Sequence, residues 1–187
     1  TNAPVKEGLP TLPYLETDQI KTTIAPVVAA ARDGHDLVIA FVHWGDEYAE
    51  GPNTAQVRAA HSLIDAGADM VIGHHPHVLQ GVERYGKGLI AYSLGNFLFR
   101  NGRSLVRPAG VLRLGVTGTG KGACLDEVTL LPVVQLRQPI YHPIPATGRE
   151  LEEVGDRLVP LSLAAPLRTT WTTLDERFVT DGSCPAS

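Results

Sequence analysis

Residues 37–43 read LVIAFVH, and this stretch decides which fold the chain takes. Consecutive apolar residues fill 37–42, and such a run, rich in branched side chains, is typical of a strand buried on both faces. A helical pattern begins near Thr54, and a second short apolar stretch, DMVI, occupies 69–72. Strand, helix and strand in this order predict a βαβ unit, whose two strands are parallel and joined by a right-handed crossover.

The segments on either side of this unit have patterns of their own. Apolar residues recur at helical spacing from Asp18 to Gly34, and Pro26 inside that pattern is expected to kink or shorten the helix. After the second strand, VLQGVERY, GKG and LIAYS predict a β-hairpin, and GVLRLGV with ACLDEVTLLPVVQL predicts another. A short helix is predicted at 149–159. The sequence therefore predicts an α/β fold, a βαβ unit followed by β-hairpins, after an extended lead-in over 1–16.

Composition restricts the class of protein. The chain has 187 residues and a formal net charge of −4, which offers no basic surface for nucleic acid. Its longest apolar runs are far shorter than the roughly 20 residues that span a bilayer. The chain starts at Thr1, so the lack of a targeting segment does not define its compartment. Cys124 and Cys184 form no CxxC pair, and they are either one disulfide of an exported protein or two ordinary thiols.

Polar residues follow both strands of the βαβ unit. HWGDE occupies 43–47 at the end of the first strand, and GHHPH occupies 73–77 at the end of the second. Parallel strands deliver such loops to one edge of the sheet, where open α/β sheets bind ligands. If the following hairpin returns to that edge, SLGNF at 93–97 joins them. We therefore expect polar side chains of three loops to meet at one rim.

Imidazole nitrogens are common ligands of zinc and similar metals. His75 and His77 project to the same side if their segment is extended, and Pro76 between them restricts the backbone. An H-x-H pattern alone is more often a polar turn than a ligand pair. The prediction of a metal site depends on His43 and Glu47 reaching the same edge.

Other residues have simpler interpretations. His74 is expected to point away from its neighbour His75, and His61 is expected to be a packed histidine of the second helix. GVTGTGKG at 115–122 lacks the hydroxyl residue of a phosphate-binding loop and is predicted to be a hairpin turn. Ser93 lies in YSLGN, which is not a nucleophile-elbow motif, so a serine hydrolase is not predicted.

Several ordered motifs together resemble one family. HWGDEY at 43–48, P-x-x-x-Q at 52–56, LIDAGADMVIGHHPHVLQ at 63–80 and YSLGNFLF at 92–99 resemble the CapA family of capsule or poly-γ-glutamate synthesis proteins. This family belongs to the calcineurin-like metallophosphoesterase superfamily. The resemblance covers roughly residues 12–145.

The resemblance implies a fold and a division of the chain. Residues 17–145 would form the C-terminal half of a CapA-like metallophosphoesterase domain, part of an α/β/β/α sandwich that is incomplete in this chain. Residues 146–187 would form a C-terminal tail with a short helix. The early superfamily motifs, which supply most of a two-metal cradle, have no counterpart in residues 1–36.

The resemblance also implies roles for individual residues. His43, His75 and His77 would be metal ligands, Glu47 a ligand or general acid/base, and Asn96 a supporting residue. The full-length protein would hold divalent metal ions (Mn, Zn or Fe), two in number, and would use them as a phosphoesterase-like hydrolase. This chain alone is expected to bind metal weakly or not at all, and its sheet is expected to have an open edge.

Partners and location are implied in the same way. The expected partners are a polyanionic polymer or phosphoester substrate and the missing N-terminal half, on the same protein or another chain. The expected location is the bacterial cell surface, with membrane attachment only through an N-terminal anchor outside this sequence. The alternative is a non-catalytic polymer-binding or export/assembly component of the capsule machinery, which keeps the fold while its site is incomplete.

Overall fold

Two β-sheets and the helices that cover them make up the fold in a computed structural model of the chain. The structure describes residues 16–101, 107–118, 123–136, 140–182 and 184. The fold is mixed α/β, as the sequence predicted, and it follows the predicted order of a βαβ unit and then hairpins.

The first sheet contains the βαβ unit and the hairpin that follows it. Its strand order is β1-β2-β4-β3, with β1, β2 and β4 parallel and β3 antiparallel to β4. The elements are β1 (Ile39–His43), α3 (Thr54–Asp65), β2 (Met70–His74), β3 (Val82–Tyr85) and β4 (Gly88–Ala91). Both strands of the βαβ unit therefore end at the same edge of the sheet, which confirms the parallel pairing predicted from the sequence.

Helices cover one face of this sheet. A short 3₁₀ turn (Thr17–Gln19) leads into α1 (Ile20–Thr23), and α2 (Ala25–Gly34) follows after a break at Ile24. The break lies two residues before Pro26, which cannot donate a helical hydrogen bond, and it leaves two shorter helices where the sequence pattern ran on. The start of α3 is capped by Asn53, whose side chain accepts from the Gln56 backbone N–H while the Gln56 side chain accepts from the Asn53 N–H.

The second sheet is antiparallel and has the order β5-β6-β9-β8, with β7 also paired to β6. Its strands are β5 (Pro108–Thr117), β6 (Cys124–Leu136), β7 (His142–Pro145), β8 (Thr172–Leu174) and β9 (Arg177–Asp181). β5 and β6 form the predicted hairpin, so GVTGTGKG joins two antiparallel strands; residues 119–122 of that motif lie outside the described residues. A phosphate-binding loop would instead lead into a helix.

Two apolar cores hold the layers together. One lies between the sheets, where Met70, Leu89 and Leu130 are fully buried. The helix α4 (Arg149–Leu163) adds Val154 and Leu158 to this core. The other core lies between the first sheet and the helices α1, α2 and α3. The sheets therefore face each other across one core, as expected for the middle layers of a sandwich.

Both sheets have an edge strand on the same side of the molecule. Among the described residues, β1 pairs only with β2, and β5 pairs only with β6. A cavity of about 490 Å³ lies between these edges and is lined mainly by apolar side chains, among them Ile39, Phe41, Ile72, Phe97, Leu112 and Leu114. Phe41 on β1 is 70% exposed. Within the described residues, the first sheet has the open edge expected from the sequence.

The C-terminal residues, expected as a tail with a short helix, contain more regular structure than their sequence pattern indicates. α4 continues past Pro160 to Leu163, and the hairpin of β8 and β9 pairs with β6. A disulfide joins Cys124 to Cys184, so these cysteines are not two free thiols. No helix of the described residues is long and apolar enough to cross a membrane.

Candidate functional site

The three polar loops meet at the carboxyl edge of the first sheet. We call them loop 1 (residues 44–53), loop 2 (residues 75–81) and loop 3 (residues 92–101). The backbone N–H of Tyr48 in loop 1 donates to the Pro76 carbonyl of loop 2 at 2.8 Å. The N–H of Gln80 in loop 2 donates to the Ser93 carbonyl of loop 3 at 2.9 Å. Loop 2 is therefore tied to both of the other loops.

These loops bring the predicted histidines together. The ring centroids of His43 and His75 are 4.7 Å apart, and those of His75 and His77 are 6.0 Å apart. The Nε2 atom of His77 lies 3.9 Å from the Oε1 atom of Glu47. These four side chains, all of which were named from the sequence, thus lie at one edge, on two loops and the end of one strand.

Asn96 fixes the orientation of His77. The Nδ1 atom of His77 lies 2.8 Å from the side-chain oxygen of Asn96, which is 5% exposed. An amide oxygen only accepts, so Nδ1 is the donor of this bond, and in a neutral ring the lone pair would then be on Nε2. The Asn96 carbonyl in turn accepts from Nε2 of Gln135 in β6 at 3.0 Å. This arrangement is the one in which a hydrogen-bonded imidazole presents its other nitrogen to a metal.

Three of the six described non-glycine residues with positive φ lie in loops 1 and 2, and the other three lie between residues 168 and 176. Tyr48, His75 and His77 have positive φ values of 64°, 101° and 62°. Non-glycine residues rarely adopt this region, and each instance costs on the order of 1–3 kcal/mol. Such strain persists only where the surroundings fix it, and it is frequent at functional sites.

The local electrostatics favour a neutral imidazole at the end of β1. Burial lowers the pKa of His43, and the neighbouring His75, His74 and His77 lower it further. The pKa of His74 is also lowered by burial. A neutral ring has a free nitrogen lone pair, which is the form that binds metal ions.

The donor types fit a metal site, but the described residues do not complete one. At this edge, no three histidine or carboxylate side chains of the described residues bring one ligand atom each within 4.8 Å of one another. Only Cys124, Asp126 and Cys184 meet that criterion in the described part of the chain, and both cysteines are in the disulfide. The edge therefore gathers imidazole and carboxylate groups of the described residues without bringing three of them close enough to hold one ion.

The neighbouring histidines lie in other surroundings. His74 is exposed and stacks on Phe41, with ring centroids 6.1 Å apart, and it lines the cavity between the sheets. His61 on α3 lies 2.9 Å from the buried carboxylate of Glu83 through Nε2 and stacks on Tyr85. The sequence analysis expected His74 to point away from His75 and His61 to be a packed histidine, and both arrangements match these expectations.

Two further residues of the motifs are buried. Trp44 donates from Nε1 to the Tyr92 carbonyl at 3.1 Å, and Ser93 is 2% exposed. Gly73 packs against Trp44 and Tyr92, and a Cβ atom at that position would be 2.1 Å from the Tyr92 oxygen and 2.3 Å from Trp44 Nε1. Only glycine therefore fits at the start of the G-H-H-P-H motif.

Some contacts with these loops were not predicted from the sequence. Gln80 of loop 2 donates from Nε2 to the Ala49 carbonyl of loop 1 at 2.8 Å. Arg157 of α4 donates from Nε to the Leu79 carbonyl at 2.8 Å. In the sequence, Arg157 is only a cation that precedes an inward-facing leucine on a predicted helix. Such a position does not indicate that the side chain contacts a distant loop.

Comparisons with known proteins identify the family of the chain. The model of the family described as "Bacterial capsule synthesis protein PGA_cap" matches residues 3–101. The chain is 40% identical over 97 residues to "PGA biosynthesis protein CapA" of Bacillus subtilis (strain 168), covering 52% of this chain and 26% of the relative. It is 43% identical over 116 residues to "Capsule biosynthesis protein CapA" of Bacillus anthracis, covering 62% of this chain and 28% of the relative.

A more distant relative is a probable polyglutamine synthesis accessory protein of Mycobacterium tuberculosis (strain CDC 1551 / Oshkosh), which is 37% identical over 81 residues, covering 43% of this chain and 21% of the relative. The chain thus spans about a quarter of the length of the curated relatives that it matches. The family match includes loops 1, 2 and 3 of the candidate site. The chain therefore belongs to the bacterial capsule synthesis family PGA_cap, which the CapA-like motifs indicated.

Proposed function

We propose that the three-loop edge is the metal-binding part of a phosphoesterase-like hydrolase site that acts in capsule or poly-γ-glutamate biosynthesis. The observation that carries this proposal is the meeting of His43, His75 and His77 on strained and mutually bonded loops. An imidazole cluster of this kind, with one ring oriented by a buried amide, suits divalent Mn, Zn or Fe.

Each residue has a role that follows from its surroundings. His43 and His75 lie side by side and would be adjacent ligands. His77 would bind through Nε2, because its Nδ1 is held by Asn96. Glu47 lies next to that nitrogen and is largely exposed, which suits a ligand or a group that exchanges protons with a substrate. A divalent ion at this edge would supply Lewis-acid activation of a phosphoester.

The remaining ligands would come from protein outside this chain. The donors of the described residues do not converge into a full shell, and the chain spans about a quarter of the length of its curated relatives. The open edge at β1 lies directly beside His43, so additional strands there would carry their own loops to the site. We propose that an N-terminal half, on the same protein or another chain, binds at this edge and completes a two-metal site.

The proposed location is the bacterial cell surface. The family and the names of the relatives refer to capsule synthesis. The disulfide between Cys124 and Cys184 is an independent support, because disulfides persist in oxidising compartments outside the cytoplasm. A polyanionic polymer or a phosphoester is then the proposed substrate.

An activity measurement tests the proposal. A family-length protein containing this chain would be assayed with Mn²⁺ or Zn²⁺ on bis-p-nitrophenyl phosphate and on γ-glutamyl substrates. We expect turnover, and we expect His75→Ala to lower it by more than about 100-fold, since loss of a mere supporting partner of a ligand costs about 10–100-fold. His35→Ala is the matched control, because His35 is exposed and its ring lies 2.9 Å from the Ala31 carbonyl of its own helix, away from the three loops.

A second candidate function is a non-catalytic polymer-binding or export/assembly component. The incomplete donor set among the described residues favours it. Polymer binding that survives His75→Ala, together with no turnover of either substrate class, would support this candidate and contradict the hydrolase.

A further inference from the structure

A charged side chain from outside the family match reaches the loops of the site. Arg157 lies on α4, beyond the matched residues 3–101, and its side chain is only 13% exposed. Leu158, the next residue, belongs to the core between the sheets. Burial lowers the pKa of the Arg157 guanidinium, and the Glu50 carboxylate raises it. An apolar side chain would avoid this desolvation, so the guanidinium needs a specific partner.

Arg157 contacts two different loops of the site. Its Nε donates to the Leu79 carbonyl of loop 2 at 2.8 Å, and its Nη2 lies 3.7 Å from Oε1 of Glu50 in loop 1. Nη2 is buried and has no hydrogen-bond partner among the described residues, so its contact with Glu50 is an ion pair only. One rigid, planar group thus lies against both loops.

The two residues that Arg157 contacts closely follow strained residues in the sequence. Leu79 is two residues after His77, and Glu50 is two residues after Tyr48, and both His77 and Tyr48 have positive φ. Loops 1 and 2 are also joined by the backbone bond from Tyr48 to Pro76, by the Gln80 side chain and by the contact of Glu47 with His77. Strained backbone persists only where its surroundings hold it, and Arg157 is part of those surroundings.

We propose that Arg157 is a positioning residue that sets the spacing of loops 1 and 2, which makes α4 a part of the metal-binding edge. This inference rests on the proposed function of that edge. It gives the C-terminal helix a role that the family match, which ends before it, does not assign.

The test uses the 187-residue chain and Zn²⁺ alone, with binding followed through the imidazole resonances by NMR. We expect Arg157→Met to weaken Zn²⁺ binding about tenfold, the effect of losing a supporting partner. The amide of Tyr48 should then exchange with solvent faster, while the amide of Val71 in the core strand β2 is unchanged. Arg157→Lys keeps a donor for the Leu79 carbonyl and should recover most of the loss. Arg149→Met, an exposed position on the same helix, is the control.

The outcomes separate this inference from the proposed function. Zn²⁺ binding that His75→Ala abolishes but Arg157→Met leaves at wild-type strength would overturn the role of Arg157 alone. Zn²⁺ binding that is the same in His75→Ala as in the wild type would contradict the metal site. In that case the positioning role is still tested, because an unchanged exchange rate of the Tyr48 amide in Arg157→Met would overturn it. If Arg157→Met does not fold, the same measurements would be made on Glu50→Gln, which removes the charge at the exposed end of the ion pair. Zn²⁺ binding and Tyr48 amide exchange at wild-type values in Glu50→Gln would overturn the proposal.

Discussion

At the scale of single residues, the unusual feature is the backbone of the histidine loop. His75 has a φ of 101°, a region that glycine adopts freely and that other residues enter at a cost of about 1–3 kcal/mol. Asn53, Gln56 and Gly73 hold the neighbouring backbone by capping and close packing. The protein therefore keeps an imidazole at position 75 at the expense of stability, which fits a functional side chain.

A comparison of two substitutions at position 75 tests this interpretation. We expect His75→Gly to be more stable than His75→Ala by about 1–2 kcal/mol, because only glycine relieves the positive φ. Free energies of unfolding from urea titrations would measure the difference. His35 is the control position, since its φ is −133° and there alanine should be the more stable of the two. Equal stability of the two variants at position 75, or a more stable alanine, would contradict the strain.

At the scale of elements, the βαβ unit was predictable and the C-terminal strands were not. The apolar runs of β1 and β2 and the helical spacing of α3 are local signals, and the direction of parallel strands places His43 and His75 at one edge. β8 has three residues, and all of them are exposed. It therefore lacks the alternation of buried and exposed positions by which a strand is recognised in a sequence. Similarly, the contact of Arg157 with loop 2 depends on where α4 packs, which no local pattern contains.

The packing of β2 against loops 1 and 3 gives a prediction at this scale. Gly73→Ala places a methyl group where the Tyr92 carbonyl and the Trp44 ring already lie, so we expect a loss of about 3 kcal/mol or more. Gly34→Ala is the matched control, because a Cβ there meets nothing within 4 Å, and its stability should change little or rise. Thermal unfolding followed by circular dichroism would compare them. A Gly73→Ala protein as stable as the wild type would show that this close approach is wrong.

At the scale of the whole molecule, two features stand out: the disulfide between Cys124 and Cys184, and the edge strands β1 and β5. The disulfide joins residues 60 positions apart and ties the end of the chain to the start of β6. Crosslinks of this kind restrict the unfolded chain and contribute typically about 2–4 kcal/mol. By contrast, within the described residues β1 pairs with no strand other than β2, and β5 pairs with no strand other than β6, beside the predicted ligands.

Reduction of the disulfide gives the prediction for the whole chain. Dithiothreitol should lower the free energy of unfolding of the wild type by about 2–4 kcal/mol, and Cys184→Ser should lose a similar amount. The variant provides the control, since added reductant should then have no further effect on it. An unfolding transition of the wild type that is insensitive to reductant would show that the bond contributes nothing to stability.

We propose that this edge binds metal through His43, His75 and His77 and that the chain supplies only part of the ligand shell. Calorimetric titration of the 187-residue chain with Zn²⁺ tests it most directly. We predict at most one weak site, far below the roughly 10–16 kcal/mol of a complete structural zinc site, and loss of its heat in His75→Ala. Tight stoichiometric binding of two ions by this chain, or weak binding that is unchanged in His75→Ala, would contradict the account.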